Sequence, residues 1–327
     1  MKETTVVIPN YNGIEHLQLC LETLARQTHG DFDILMVDNG SKDGSVEFVR
    51  SNHPRVQIVQ FDTNRGFAPA VNEGIRRAQS PYIILLNNDI ELAPSWIEQM
   101  IGTLKKYPDA GAAASKMMNF FQRDLFDAAG DQLTWTGAVW ARGEKEVDHG
   151  QYEQEEFIFG ACAGAAAYRK EMFEEVGLFD ESFFAYFEDV DLDLRMQLQG
   201  WKAVYVPTAV CYHKRGATRK QMLPLTVRLH IRNPILYLVK DMPGEIWRRR
   251  FHIFIASLVR KWMRYLSDGY FIPVAMGLWE AMLQMPEVLR ERKRVQSKRK
   301  VSAEYIESLM GHRNVRQAYP ANGNRNK

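Results

Sequence analysis

The chain has 327 residues, 46% of them hydrophobic and 25% charged, which fits about two globular domains with a sizeable core and excludes a mainly disordered chain. Its net charge of +2 conceals a division: residues 1–213 carry 18 Lys+Arg against 32 Asp+Glu, whereas residues 214–327 carry 24 against 8. An acidic part followed by a basic one points the second toward a polyanion or an anionic membrane surface.

Residues 4–9 read as a buried strand, and Ile14, Leu17, Leu21 and Leu24 as one face of a helix. Phe32–Asp38 is a second strand, closed by the turn 38–44, and a helix from about Ser45 and a strand at 56–61 follow. After the loop 62–66 come a helix at 67–78 and the apolar strand Tyr82–Leu86, which stops at Asn87-Asn88-Asp89. Alternating strands and helices with near-continuous apolar strands predict a parallel sheet covered on both faces. Ligands of such sheets bind beyond the carboxyl ends of the strands, where Pro9, Tyr11, Asp38, Arg65, Asn88 and Asp89 fall. Residues 110–213 are less regular, with small residues over 160–165, a strand near 202–206 and His213 shortly after. The tail from about Arg313 is expected to be disordered.

Cys20, Cys162 and Cys211 are odd in number, far apart and in no zinc or redox spacing, which suits a reducing compartment. The first apolar run is too short for a signal-peptide core, and no stretch of about 18 apolar residues lacks charge. No spanning helix is expected, and the chain is placed in the cytoplasm or on the cytosolic face of a membrane.

Several polar residues carry two readings. Asp89 can hold a divalent metal while the asparagines orient sugar hydroxyls or water; the alternative is an Asx turn or the cap of a helix near Ser95. Asp38 and Asp43 flank a Gly/Ser-rich turn. Turn chemistry is favoured for Asp43, and contact with a base or ribose for Asp38 at its strand end. Residues 188–193 hold four carboxylates opening a helix, where they complement the dipole, and Asp191 with Arg195 is expected as a surface ion pair. Asp189 follows Phe183-Phe184-Ala185-Tyr186-Phe187, which suits either a sugar platform with a base at its edge or core packing. His213 taken alone is more often a surface or core histidine than a metal ligand.

In the basic part, Trp247, Phe251, Phe254, Leu258, Trp262 and Tyr265 recur at helical steps, with Arg249, Arg250, Arg260, Lys261 and Arg264 on the other side. A basic amphipathic helix of this kind suits an anionic membrane interface, and that reading is favoured over an ordinary packed helix or an oligomer contact. A second basic cluster lies at 290–300. No nucleic-acid recognition motif accompanies it.

Taken in order, Val6-Val7-Ile8-Pro9-Asn10-Tyr11-Asn12-Gly13, Val37-Asp38-Asn39-Gly40-Ser41-Lys42-Asp43-Gly44-Ser45, Asn64-Arg65-Gly66-Phe67 with Asn72, and Leu85-Leu86-Asn87-Asn88-Asp89 form a pattern. Phe187-Glu188-Asp189-Val190-Asp191-Leu192, Gly200-Trp201 and Val206-Pro207 through His213 complete it. The pattern resembles the inverting family 2 glycosyltransferases with the GT-A fold, in particular bacterial rhamnosyltransferase-like members, and covers about residues 4–213. The resemblance implies an α/β, Rossmann-like GT-A domain over 1–213, with a mainly parallel sheet flanked by helices. A basic helical region over 214–312 and a tail over 313–327 follow it. The resemblance further implies a UDP- or dTDP-linked sugar donor such as dTDP-rhamnose, a saccharide or lipid-linked saccharide acceptor, and Mg²⁺ or Mn²⁺. At matching positions Pro9 and Asp43 would border the donor, Tyr11 would stack on its pyrimidine, and Asp38 would accept the imide hydrogen. Arg65 would lie near base or phosphates and Asn88 near the ribose. Asp89 would bind metal and diphosphate, His213 would complete the metal site, and Asp189 would be the catalytic base. Phe187, Glu188 and Trp201 would border the acceptor. One departure stands out: the usual Asp-X-Asp reads Asn87-Asn88-Asp89, leaving one carboxylate, so the diphosphate must supply more of the metal's ligands. The competing reading is a nucleotide-sugar-binding scaffold without turnover, against which Asp189, Asp89 and Arg65 argue.

Overall fold

The computed structural model describes residues 2–215 and 223–311. Four apolar strands set its frame: β1 (Thr4–Asn10), β2 (Phe32–Asp38), β3 (Gln57–Gln60) and β4 (Tyr82–Leu86). They pair in parallel, with β1 between β2 and β4. Helices α1 (Ile14–Ala25), α2 (Ser45–Asn52) and α3 (Phe67–Arg77) connect them. Alternation along each strand divides the core in two. Val6 and Ile8 pack toward Leu17 and Leu21 of α1, while Val7 packs toward Val71 and Ile75 of α3, so both faces are dry, as parallel strands require.

Past β4 the sheet becomes mixed. After β5 (Ile90–Leu92) and α4 (Trp96–Lys106), β6 (Ala110–Asn119) is reached; β7 (Phe126–Ala128), β8 (Asp131–Leu133), β9 (Val139–Ala141), β10 (Glu156–Ile158) and β11 (Ala165–Arg169) follow. β11 runs antiparallel between β4 and β6. Then come α5 (Lys170–Val176), a 3₁₀ turn at Glu181–Phe183, α6 (Glu188–Leu198) and β12 (Lys202–His213), which lies parallel to β6. β12 is longer than the five residues read from the sequence. Pro207, which cannot donate to a ladder, falls in a bulge where the register jumps from Val206↔Ser115 to Val210↔Lys116. The strand then resumes and carries His213 to the same sheet edge as the ends of β1, β2 and β4.

Helices α7 (Leu223–Asp241), α8 (Gly244–Ser267), α9 (Phe271–Ser297) and α10 (Ala303–Ser308) complete the described chain. They share a core with the sheet domain: Leu194 and Leu198 of α6 pack with Tyr237, Phe254, Leu258 and Val288. A buried ion network reinforces the joint. Arg195 holds Asp191 at 2.8 Å, and Lys240 of α7 pairs with both Asp191 and Asp180. The Asp191–Arg195 pair, expected at the surface, is therefore interior, because α7 covers it. Removing one partner of such a pair costs roughly 3–5 kcal/mol.

The membrane-facing stripe read from the sequence is also corrected. Phe254 and Leu258 are buried, Trp247, Trp262 and Tyr265 are half-buried, and the Trp247 indole N–H donates to the Leu238 carbonyl at 2.7 Å. That face packs inward, and of the six residues only Phe251 stands exposed. Among the described residues no helix is long and apolar enough to cross a membrane. The expected disorder beyond Arg313 lies outside the described residues.

Candidate active site

The strand ends meet through a network of short amides. Asn10, buried at the end of β1, donates to Asp38 Oδ1 at 3.0 Å and to Ser41 Oγ at 3.2 Å, and its own Oδ1 accepts from Asn88 at 2.7 Å. Gly13 makes this possible, since a Cβ there would lie 2.0 Å from the Asn88 amide nitrogen. Asp38 is fully buried, with Oδ2 taken by the Ser41 N–H. Asp43 accepts from the Ser45 hydroxyl and N–H, the turn chemistry favoured for it, and from the Ile14 N–H; against burial, these bonds, the hydroxyl's first, hold its pKa low. Pro9 sits in β1 opposite Val37. Tyr11 is 37% exposed at the lip. The Arg65 guanidinium is exposed and lies 4.5 Å over the Phe61 ring, its backbone fixed by Asn39. Tyr11 and Arg65 therefore give this edge an open ring and an open cation beside a rigid polar floor.

Asp89 does not cap the helix at Ser95. Its Oδ2 lies 3.3 Å from His213 Nε2, and His213 Nδ1 lies 2.7 Å from Asp127 Oδ2. Arg215 holds the other Asp127 oxygen at 3.0 Å. Burial disfavours a charged His213 ring, but Asp127 and Asp89 outweigh it and push its pKa up to about 9. A carboxylate orienting a histidine whose other nitrogen faces a second carboxylate is the support found around bound metals. The donor set of Asp89 and His213 Nε2 fits a divalent cation. Among the described residues no cluster of three or more His, Cys, Asp or Glu could hold a metal by itself, so the remaining ligands would come from diphosphate or water.

Asp189 opens α6 beside three other carboxyls. Glu188, Asp131 and Asp193 are buried, and burial followed by neighbouring negative charge pushes each well above the usual carboxylate range. Asp189 alone of the four is partly exposed; burial raises it, while N–H bonds from Val190 and Ala163 oppose the rise. The approach to it is strained: Phe184, Tyr186 and Phe187 have φ of 65°, 67° and 69°, conformations that cost about 1–3 kcal/mol each for non-glycine residues. Gly66 is part of the same packing, because a Cβ there would lie 2.4 Å from the Phe184 carbonyl oxygen. Two adjacent residues of α7 hold the turn. Asn233 donates to the carbonyls of Phe183, Ala185 and Tyr186 at 3.2, 3.0 and 2.7 Å, and Arg232 to those of Ser182 and Phe183 at 2.8 and 2.9 Å.

One short segment joins these two parts. The Ala163 N–H acts on the Asp189 carboxylate, favouring its charged form, and the carbonyl of the following residue, Gly164, accepts from Asn87 N at 2.7 Å, two residues before Asp89.

The sequence model of glycosyl transferase family 2 matches residues 5–177. The N-acetylglucosaminyl-diphospho-decaprenol L-rhamnosyltransferase of Mycobacterium tuberculosis is 30% identical over 292 residues, spanning 78% of this chain and 94% of that one. The chain belongs to glycosyl transferase family 2. The mannosyltransferase PcManGT of Pyrobaculum calidifontis, solved with GDP-Man and Mn²⁺, shares the fold of this family 2 transferase with a TM-score of 0.56 at 16% identity, over 91% of this chain and 84% of that one. S. aureus TarS 1–349 with UDP does so with a TM-score of 0.54 at 15% identity, over 95% and 83%.

Within this transferase, the residues expected at the acceptor side separate. Phe187 and Glu188 adjoin Asp189, but the Phe187 ring packs against His230 and Tyr237, with Lys261 4.8 Å over its face. Phe183 is core. Trp201 is not brought to the site: it precedes β12, whose other end carries His213, and it packs near Glu175. The three cysteines are free. Sequence reasoning missed Asp127, Asn233, Asp131 and Asp193. Asp193 lay in the noted acidic run, whereas nothing in the spacing ties Asp127 or Asn233 to the motifs they support.

Proposed function

We propose that this glycosyltransferase moves a sugar, with inversion, from a UDP- or dTDP-linked donor to a hydroxyl of a lipid-linked saccharide in cell-surface polysaccharide synthesis. The mycobacterial relative's name makes rhamnose the first sugar to try and a lipid diphosphate the first acceptor. The observation that carries the reading is the stretch 163–164: the Ala163 N–H favours the charged form of Asp189, and the Gly164 carbonyl holds the start of the Asn87–Asp89 strand end.

In this mechanism Tyr11 and Arg65 engage the nucleotide, and Asn88 and Asp38 shape the floor beneath it. Asp89 and His213 would hold Mg²⁺ or Mn²⁺, which when bound would stabilise the charge on the departing diphosphate. The acceptor oxygen attacks the anomeric carbon as the bond to the diphosphate oxygen breaks, and the acceptor proton passes to an Asp189 oxygen. Asp189 suits this role as the one reachable carboxylate in its cluster, with buried acids behind it that cannot compete for substrate. The site faces the cytoplasm in this reading, with the chain peripheral on the inner membrane face.

The test is nucleoside diphosphate release from a panel of UDP- and dTDP-sugars with Mn²⁺, Mg²⁺ or EDTA. Release from one donor that is lost in EDTA and in Asp189→Asn supports the reading. Nucleotide binding without turnover, even with lipid-linked acceptor, revives the scaffold, and absence of nucleotide binding overturns both.

A further inference from the structure

The α8–α9 hairpin exposes apolar side chains where most surfaces expose charge. Of the seventeen large apolar residues that stand exposed among those described, eleven lie on these two helices. On α8 they are Phe251, Ile255, Val259 and Met263, one turn apart along a single stripe. On α9 the stripe includes Phe271, Ile272, Met276, Trp279 and Leu283, about 18 Å of helix. Tyr270 N–H bonds to the Tyr265 carbonyl at 3.0 Å and closes the reversal, so Met263 and the pair Phe271–Ile272 share its tip. Ile272, at 73%, is among the most exposed apolar residues of the chain.

The charges around this surface are mainly basic, with Asp268 exposed at the reversal as the acidic exception. Residues 246–267 contain no acidic residue but include Arg248, Arg260 and Arg264, all exposed. Over 271–286 the single charge is Glu280, which faces inward to Arg228 and Arg232; Arg290 and Arg294 then follow, paired with Glu287 and Glu291, beside the exposed Lys293. We infer that the tip of the α8–α9 hairpin docks on an anionic bilayer, Phe271 and Ile272 entering the headgroup boundary while Arg260 and Arg264 meet lipid phosphates. A second copy of this chain is disfavoured as the occupant, because a self-complementary twofold contact would bring two copies of this basic patch together. The stripe suits a helix lying in the interface rather than crossing it.

The surface leads to the site. An open cleft of about 540 Å³ between the starts of α7 and α9, lined by Leu225, Arg228, Tyr270, Phe271, Ile272 and Met276, opens at the tip. Thr226, the residue after Leu225, meets the Tyr186 hydroxyl at 3.5 Å in the strained turn that leads to Asp189. Given the proposed transfer to a lipid-linked acceptor, docking here would bring a membrane-borne hydroxyl to the base.

Sedimentation with vesicles of equal parts phosphatidylglycerol and phosphatidylcholine, at low salt, tests this on the full chain. Wild type should pellet with them and not with phosphatidylcholine alone, and brominated lipid should quench emission that Trp279→Phe removes. The double variant Phe271→Ser/Ile272→Ser should lower the partition coefficient about tenfold or more, with unchanged melting and unchanged donor hydrolysis. Wild type remaining in the supernatant, or binding that survives both this variant and Arg260→Glu/Arg264→Glu, overturns the proposal. So does a concentration-dependent dimer that the Phe271/Ile272 variant dissociates while vesicle binding persists. Donor hydrolysis is read separately: its absence with intact vesicle binding removes the transferase reading and leaves the docking surface standing.

Discussion

The sheet edge and the helical hairpin solve opposite problems. At the sheet edge, polar groups are buried and satisfied by one another: Asn10 links Asp38, Ser41 and Asn88, and Asp127 links His213 to Arg215. In the hairpin, apolar groups are left in water beside exposed arginines. The first arrangement is preorganised for a small charged ligand, since no dipole there must turn when charge develops. The second gives adhesion without a shaped pocket. α7 belongs to both, because Asn233 grips the turn before Asp189 while the same helix packs under α8 and α9. If this division is right, damage to the sheet edge should stop chemistry or donor binding, and damage to the helices should move the acceptor or the base without touching the donor.

The largest effect belongs to Asp189→Asn, which keeps the shape and the Val190 bond but removes the proton acceptor. Turnover should fall by about 10²–10⁴, with donor Kd within about twofold of wild type. Calorimetric donor titration beside initial rates checks this, and a large loss of donor affinity would move Asp189 into the nucleotide site and blur the two regions.

Asp127→Ala comes next. In the wild type the His213 pKa lies near 9, so below that pH a cation on Nε2 must displace a proton, and apparent Mn²⁺ affinity should rise about tenfold per pH unit as pH increases toward 9. Without Asp127 the proton is held less tightly and the plateau should begin at lower pH. The plateau affinity itself should drop about 10–100-fold, because the ring loses the group that orients it. Mn²⁺ titration across pH, with nucleoside diphosphate present, separates the two changes. A wild-type affinity flat from pH 6 to 9 would overturn the coupling between the His213 proton and metal binding.

Asn233→Ala sharpens the comparison from the helical side. It frees three carbonyls of the strained 183–186 turn, and a base displaced by about 1 Å can cost up to about 10²-fold in rate. The expected pattern is a kcat decrease of about tenfold to a hundredfold with donor KM unchanged. Asn233 is fully buried, so the melting transition must be recorded, and Arg232→Lys offers a milder test of the same grip. Equal loss of donor affinity would make Asn233 a general support of the fold rather than a positioning residue.

What could be read from the sequence follows the same division. Asp38, Arg65 and Asp89 each stand at a strand end inside a short motif, so local pattern and sheet topology together placed them on one edge. Asp127 stands 86 residues from His213, on a three-residue strand with no periodicity to mark it. Asn233 looks like any polar residue before a helical proline. α8 carries two apolar stripes that share Phe251, and period alone cannot say which one a neighbouring helix will cover. The Trp-bearing stripe is the covered one, because Trp247 and Phe254 fill the core over Leu238 and Tyr237.

The smallest effect is expected at Trp201, and it probes the comparison where sequence pattern and geometry disagree. The Gly200-Trp201 motif put this residue with the acceptor, but the turn at Gly200 lies by Val301 and the Lys300 N–H reaches the Leu198 carbonyl at 2.9 Å. Both place Trp201 where α6 and β12 meet the segment ahead of α10. Its neighbourhood is therefore the join between the two regions, at the end of β12 remote from His213. Trp201→Ala should lower the melting temperature by a few degrees, in keeping with loss of a half-buried ring worth about 1–2 kcal/mol, and leave acceptor KM and kcat within about twofold. A several-fold rise in acceptor KM with normal melting would mean that the acceptor runs across the sheet to its far edge, and the helices would then share that substrate with the strands instead of receiving it alone.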